Sequence, residues 1–264
     1  MGILNGFMNV AVAGAPVIGS YITMYFHWRG NFIALLLFAL PVFIMTVFFI
    51  PQYKTPEDKE PLSLSGYLPI FKSKPLMLLI INAIFMCVPY WIFLGMSPIL
   101  YMEDLGVSLA HFGYYQGAWA LVFALGSIFF GLMINKFSAK NLLYISAWVW
   151  TLGLSLIALA SFLDVRNPLI IALSLIPLGI GGIIPNIILY PIALNFMPRA
   201  KGRISAVIKG GLLISTGIGL ELAGYFYQQS FQNIGIIISV VVLVSVITLF
   251  LVIKNHEIMK FSKE

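Results

Sequence analysis

Charge is scarce in this chain: Asp, Glu, Lys and Arg make up 9% of its 264 residues, against 61% that are hydrophobic. A mean hydropathy of +1.01 lies far outside the range of soluble globular domains, so the lipid bilayer is the solvent this composition suits. Cysteine is scarcer still. Cys87 stands alone, which excludes a disulfide framework and a thiolate metal cluster. His27, His111 and His256 are scattered, so no metal site is expected. There is no Walker loop, and Glu57, Asp58, Glu60 and the pair Glu103/Asp104 read as solvated loop charges. A membrane enzyme acting on lipid-linked substrates would need clustered His, Asp or Glu. None is offered, so neither catalytic residues nor a cofactor are expected.

What the chain has is long apolar runs. A spanning helix needs ~20 mostly apolar residues, and only helices or closed barrels satisfy their backbone hydrogen bonds in hydrocarbon. The runs are too long and too continuous for barrel strands of ~10 alternating residues. Eight spans are expected, at 4–26, 31–50, 76–99, 110–134, 142–161, 167–194, 204–227 and 233–253. The first has no basic leader and runs past Tyr21, so it reads as a span and not as a signal peptide. Gly6 breaks the MGxxx[ST] lipidation pattern. Residues 51–74 form the one long polar connection. The expectation is an all-α integral membrane protein: two helices in 1–50, a central loop at 51–74, a six-helix bundle in 75–254 and a tail at 255–264.

The few basic residues fall in alternate gaps. On one side lie Lys54, Lys59, Lys72, Lys74, Lys136, Lys140, Arg199, Lys201, Arg203, Lys209, Lys254, Lys260 and Lys263; only Arg29 and Arg166 lie on the other. The positive-inside rule then places both termini and the 51–74 loop in the cytoplasm of a cell whose inner membrane the chain spans. Topology thus accounts for the net charge of +6, and no nucleic-acid partner is implied.

Gly14-Ala15-Pro16-Val17-Ile18-Gly19-Ser20 sits inside the first span, and Trp28-Arg29-Gly30-Asn31-Phe32 follows it. Gly131-Leu132-Met133-Ile134-Asn135-Lys136-Phe137 is followed by Lys140, and Pro185-Asn186 by the Pro198-Arg199-Ala200-Lys201-Gly202 loop. In that order these segments resemble the antiporter motif, the W-R-x-x-F segment, the G-x-L-x-D-[RK]-x-G-[RK] loop and the tenth span of major facilitator transporters. The match is to their bicyclomycin-resistance (Bcr/CflA) drug/proton antiporters. Asn135 stands where the loop motif has an acid, and Ser138 where it has Gly. The resemblance implies spans five to twelve of a twelve-span fold, with two helices before the central loop and six after it. The first four would come from a separate chain, or the eight-helix piece would be inactive. The resemblance further implies proton-coupled efflux of small amphipathic molecules by alternating access; uptake of another solute is the alternative. Gly14, Pro16 and Gly19 would let the first span bend and pack, and Gly131, Asn135, Lys136 and Lys140 would form the loop motif.

Glu221 is the one carboxylate well inside an apolar span. A charge at mid-membrane costs ~3 kcal/mol or more without water or a partner, so Glu221 is expected to face the interior as a proton-coupling group. Its helical neighbours include Gly210, Ile214, Gly217, Ile218, Gly224, Tyr225 and Gln228, a small and polar stripe. The other reading places it near the outer interface, reaching headgroup water. Lys209 is ~18 Å away along the helix and is expected to snorkel to the cytoplasmic edge. Three further stripes follow helical spacing: Asn82, Met86, Pro89 and Phe93 with Tyr90; Gln116, Phe123 and Ser127; and Gly179, Gly182, Asn186 and Tyr190. With Tyr225 they supply the cavity candidates Asn82, Met86, Tyr90, Phe93, Gln116, Phe123, Asn186, Tyr190 and Tyr225. Such stripes also serve as interhelical glue, and both readings stay open. A cavity of Met and aromatic groups suits amphipathic compounds better than sugars or phosphates.

Overall fold

The computed structural model describes residues 2–50 and 64–261, with side chains from Gly14 onward apart from Leu64, Met133 and Asn135. Every regular element among the described residues is helical: α1 (Gly2–Phe49), α2 (Leu68–Lys72), α3 (Lys74–Pro98), α4 (Leu109–Met133), α5 (Ala139–Phe162), α6 (Pro168–Phe196), α7 (Lys201–Tyr225), α8 (Phe231–Lys254) and α9 (His256–Phe261). A π-helix, Ile99–Asp104, prolongs α3. Helix starts fall where the sequence supplies a polar cap. Ser108, Ser138, Asn167 and Ser230 accept from the first free backbone N–H groups of α4, α5, α6 and α8.

The two expected spans at 4–26 and 31–50 are both held in α1, whose backbone leaves the helical region at one residue, His27 (φ 58°, ψ −177°). Positive φ is uncommon outside glycine, and here it turns the chain sharply. On a straight helix residues eight apart are separated by ~12 Å along the axis, yet the Asn31 amide donates to Thr23 Oγ1 at 2.5 Å. Gly30 makes the close approach possible: a Cβ there would stand 2.5 Å from Cβ of Phe26 and 3.0 Å from Ile22 Cγ2. Among the described residues seven helices are long and apolar enough to cross a membrane, α1 from Gly14 counting as one of them. Divided at His27, they give the eight spans.

Two regions read as plain connection carry structure. A 3₁₀ turn at Leu64–Tyr67 and α2 lie in the 51–74 segment, with Ile70 fully buried; residues 51–63 are outside the described residues. In the tail, α9 buries Ile258 and sets Phe261 against Phe196 with ring centroids 5.0 Å apart.

At the heart of the bundle α3 packs against α6, α7 and α8; α5 packs against α6 and α8, and α4 against α6 and α1. Small residues set these approaches, as expected where no hydrophobic force drives helices together. A Cβ on Gly219 would overlap Ile92 of α3, and one on Gly113 of α4 would overlap Ser20 and lie 3.2 Å from the Pro16 carbonyl of α1. The tyrosine hydroxyls of Tyr21 and Tyr114 meet at 2.5 Å across the same seam. The second arm of α1 is different, since every residue from Leu35 to Ile50 is exposed.

Prolines bend the central helices, and serines repair them. A proline inside a helix leaves the carbonyl four residues earlier without its N–H, and in hydrocarbon no water can replace that donor. Pro89 frees the Phe85 carbonyl, which accepts from Ser245 of α8 at 2.7 Å. Pro185 frees that of Gly181, which accepts from Ser146 of α5 at 2.5 Å. Pro98 frees that of Leu94, which accepts from Ser97 at 2.9 Å, and Ser97 in turn accepts from Gln116 of α4 at 2.8 Å.

Candidate functional site

Between α3, α4, α5, α6 and α7 lies a cavity of ≈ 330 Å³. Asn82, Met86, Tyr90 and Phe93 line it from α3, Phe123 from α4, and Asn186 and Tyr190 from α6. Pro89 and Pro185 are also in its wall, so the two helix turns braced by Ser245 and Ser146 lie at the cavity. An aromatic plate stands on one side: Tyr90 stacks on Trp119 (centroids 4.4 Å, planes 11° apart), with Trp91 edge-on at 5.4 Å. Gly179 leaves room for it, since a Cβ there would sit 3.3 Å from Trp119 Cζ2. Trp150, 1% exposed, fills the space over Gly181 and Gly182. The indole nitrogens of Trp119 and Trp150 are buried and have no partner among the described residues.

Asn82 both lines the cavity and braces it, because its amide donates to Thr248 Oγ1 at 3.1 Å and the Ser245 carbonyl at 3.4 Å. The other candidates are placed elsewhere. Gln116 is buried away from the cavity, committed to Ser97 at the Pro98 bend. Tyr225 is 82% exposed near the end of α7.

Lys209 and Glu221 of α7 point apart. Glu221 does not face the interior of the described bundle: it is exposed, along with Ile214, Gly217, Ile218, Gly224 and Tyr225 on the same flank. A Cβ added at Gly210, Gly217 or Gly224 would meet nothing within 4 Å. Lys209, although exposed, lines the cavity beside Ile208 and Leu212. The reason is rotational. At ~100° per residue Lys209 and Glu221 point ~120° apart, and Lys209 lies ~12 Å from the start of α7. It makes no ion pair among the described residues and is the only Lys, Arg, Asp or Glu in the lining.

Gly14, Pro16 and Gly19 of the first motif lie within α1, whose one non-helical residue is His27. Its Pro16 and Ser20 are what pack on α4 through Gly113. In the loop motif, Gly131 belongs to the last turn of α4, while Lys136 and Lys140 are exposed around the Ser138 cap. The Asn135 side chain lies outside the described residues. At the end of the bundle where the π-helix after α3 and the end of α7 meet, the Tyr227 hydroxyl donates to Asp104. Burial, that hydrogen bond and the charges of Asp104 and Glu103 push the Tyr227 hydroxyl well above the usual tyrosine range. No group of three His, Cys, Asp or Glu able to hold a metal occurs among the described residues.

Trp91, Trp119, Trp150 and Lys209 were not among the sequence candidates. The three tryptophans lie off the polar stripes that supplied the candidates, and a lysine eight residues into a helix reads as a snorkelling charge. For Trp119 and Trp150 the available signal was Gly179 and Gly181 on α6, small residues that imply a large partner opposite.

Helices of this length and hydropathy around a mid-bundle cavity, bent by prolines at its wall, define a multi-pass membrane protein of transporter type. The chain belongs to the Major Facilitator Superfamily, whose family profile matches residues 1–190 and again 79–264. The double match over 79–190 is what internal repeats produce. The chain is 23% identical over 233 residues to the chloramphenicol resistance protein CraA of Acinetobacter baumannii, covering 87% of this chain and 56% of that protein. It is 27% identical over 154 residues to a bicyclomycin resistance protein homolog of Haemophilus influenzae, covering 57% of this chain and 39% of that protein. The chain spans about half the length of the curated relatives it matches.

Proposed function

We propose that this chain carries the substrate-binding bundle, residues 75–254, and part of its companion bundle, residues 1–50, of a proton-coupled exporter. The exporter moves small amphipathic compounds out through the inner membrane by alternating access, with both termini and the 51–74 loop in the cytoplasm. The observation that carries this reading is the cavity, walled by Met86, Tyr90, Phe93, Trp119 and Phe123 at the depth where facilitator proteins hold their cargo. Chloramphenicol, named by one relative, fits such a wall: it is an uncharged aromatic compound with several acceptor oxygens.

Glu221 is proposed as the coupling carboxylate. A charge on a lipid-facing helix is costly, and the open glycines beside it leave space for a closely packed helix. Both features support a further bundle, on this chain's continuation or on a separate chain, that covers the flank of α7. Efflux of chloramphenicol from loaded cells as a function of external pH tests the reading. With the complete transporter, Glu221→Gln abolishes the pH dependence at equal expression; an unchanged pH profile removes Glu221 from the mechanism. Uptake in place of efflux would reverse the direction assigned here.

A further inference from the structure

We propose that Lys209 sets the charge specificity of the cavity, admitting neutral and anionic aromatic compounds and turning away cationic ones. The inference rests on the reading of the cavity as the cargo site. Lys209 is the one ionisable group of full charge in the lining, and everything around it is apolar, aromatic or amide. Its neighbours there are Cys87 on α3 and Ile208 and Leu212 on α7. No acid compensates it among the described residues. Asp164 pairs with Arg166 at 3.2 Å, Asp104 is held by Tyr227, Glu103 and Glu257 sit at the ends of the bundle, and Glu221 is turned away on another flank of α7. An ammonium group at the cavity wall, exposed as Lys209 is, repels a second cation and attracts an anion or a carbonyl or nitro oxygen. The Tyr90/Trp119 plate meanwhile offers a face to any planar ring regardless of charge. The plate therefore supplies affinity and Lys209 supplies the sign.

The test uses three ligands of one ring size: naphthalene-2-sulfonate, 2-acetylnaphthalene and the 2-naphthyl-trimethylammonium ion. Binding to the purified full chain in phosphatidylcholine nanodiscs is measured by equilibrium dialysis, with empty discs subtracted. The expected order is sulfonate and ketone above ammonium. Lys209→Met weakens the sulfonate by roughly tenfold, leaves the ketone within about twofold and strengthens the ammonium ion; Lys209→Glu reverses the order of the two ions. If the two ions bind equally and Lys209→Met changes neither, while Tyr90→Ala still weakens all three ligands, the proposal is overturned and the cavity reading stands. Binding of none of the three, or binding indifferent to Tyr90→Ala, overturns both. Melting curves of each variant separate lost binding from lost folding, and Lys209→Arg, which keeps the wild-type order if charge is the cause, guards against a packing effect.

Discussion

Replacing Ser245 by alanine should destabilise the bundle by ~1 kcal/mol, and the loss should vanish when Pro89 is replaced as well. Ser245 is fully buried on α8 and donates at 2.7 Å to the Phe85 carbonyl, with a longer 3.1 Å contact to Val241 in its own helix. Only the first bond serves a carbonyl that has no N–H of its own, because Pro89 cannot supply one. A buried orphan carbonyl costs ~1–3 kcal/mol by soluble-protein measure, while interhelical hydrogen bonds in membranes average nearer 0.6 kcal/mol. About 1 kcal/mol is the consistent value. In Pro89→Ala the restored N–H of residue 89 takes over the Phe85 carbonyl, so Ser245→Ala should then cost only a few tenths of a kcal/mol. The assay is a double-mutant cycle on reversible unfolding in mixed micelles, where the coupling should be ~0.7–1 kcal/mol. The same cost for Ser245→Ala in both backgrounds would refute the idea that the serine exists for the proline's carbonyl.

Gln116→Leu should loosen α4 from the Pro98 bend and lower the melting temperature, costing ~1 kcal/mol, without changing naphthalene ligand binding, since Gln116 touches Ser97 and not the cavity. Gly113→Val should separate α1 from α4 at a cost of ~1–3 kcal/mol, read as a lower unfolding midpoint, with Gly113→Ala intermediate. Tyr90→Ala should weaken each naphthalene ligand by about three- to tenfold through loss of stacking, measured by dialysis. Tyr227 holds its proton more tightly folded than unfolded, so its contribution is complete below the ordinary tyrosine value of 10.0 and is lost as pH rises above it. Unfolding scans across that range should show stability falling in the wild type and falling less steeply in Tyr227→Phe.

The helices were legible in the sequence because hydrocarbon leaves one option for a long apolar run, and the gap at 27–30 was legible because Arg29 and Trp28 interrupt it. The cavity was half legible. Asn82, Met86 and Phe93 share a face of α3, and that face does open inward. Periodicity alone could not separate Gln116 from Phe123, which point the same way about α4 but stand ~10 Å apart along it. One meets the Pro98 bend and the other the cavity. Nor could it rank the two charges of α7. Depth in the span favoured Glu221, and only the assembled helices show that Lys209 is the one of the two that borders the cavity.

The serines that mend the bends sit outside cargo's reach: among the described residues none of α8 lines the cavity, and Ser146 holds the Gly181 carbonyl from α5 without entering the lining. Shape and chemistry of the binding wall are thereby written in different places. Residues facing the cavity can change without touching the hydrogen bonds that brace its helices. On the proposed reading, single changes at Phe123 or Tyr190 would shift what is recognised while the fold stays as it is.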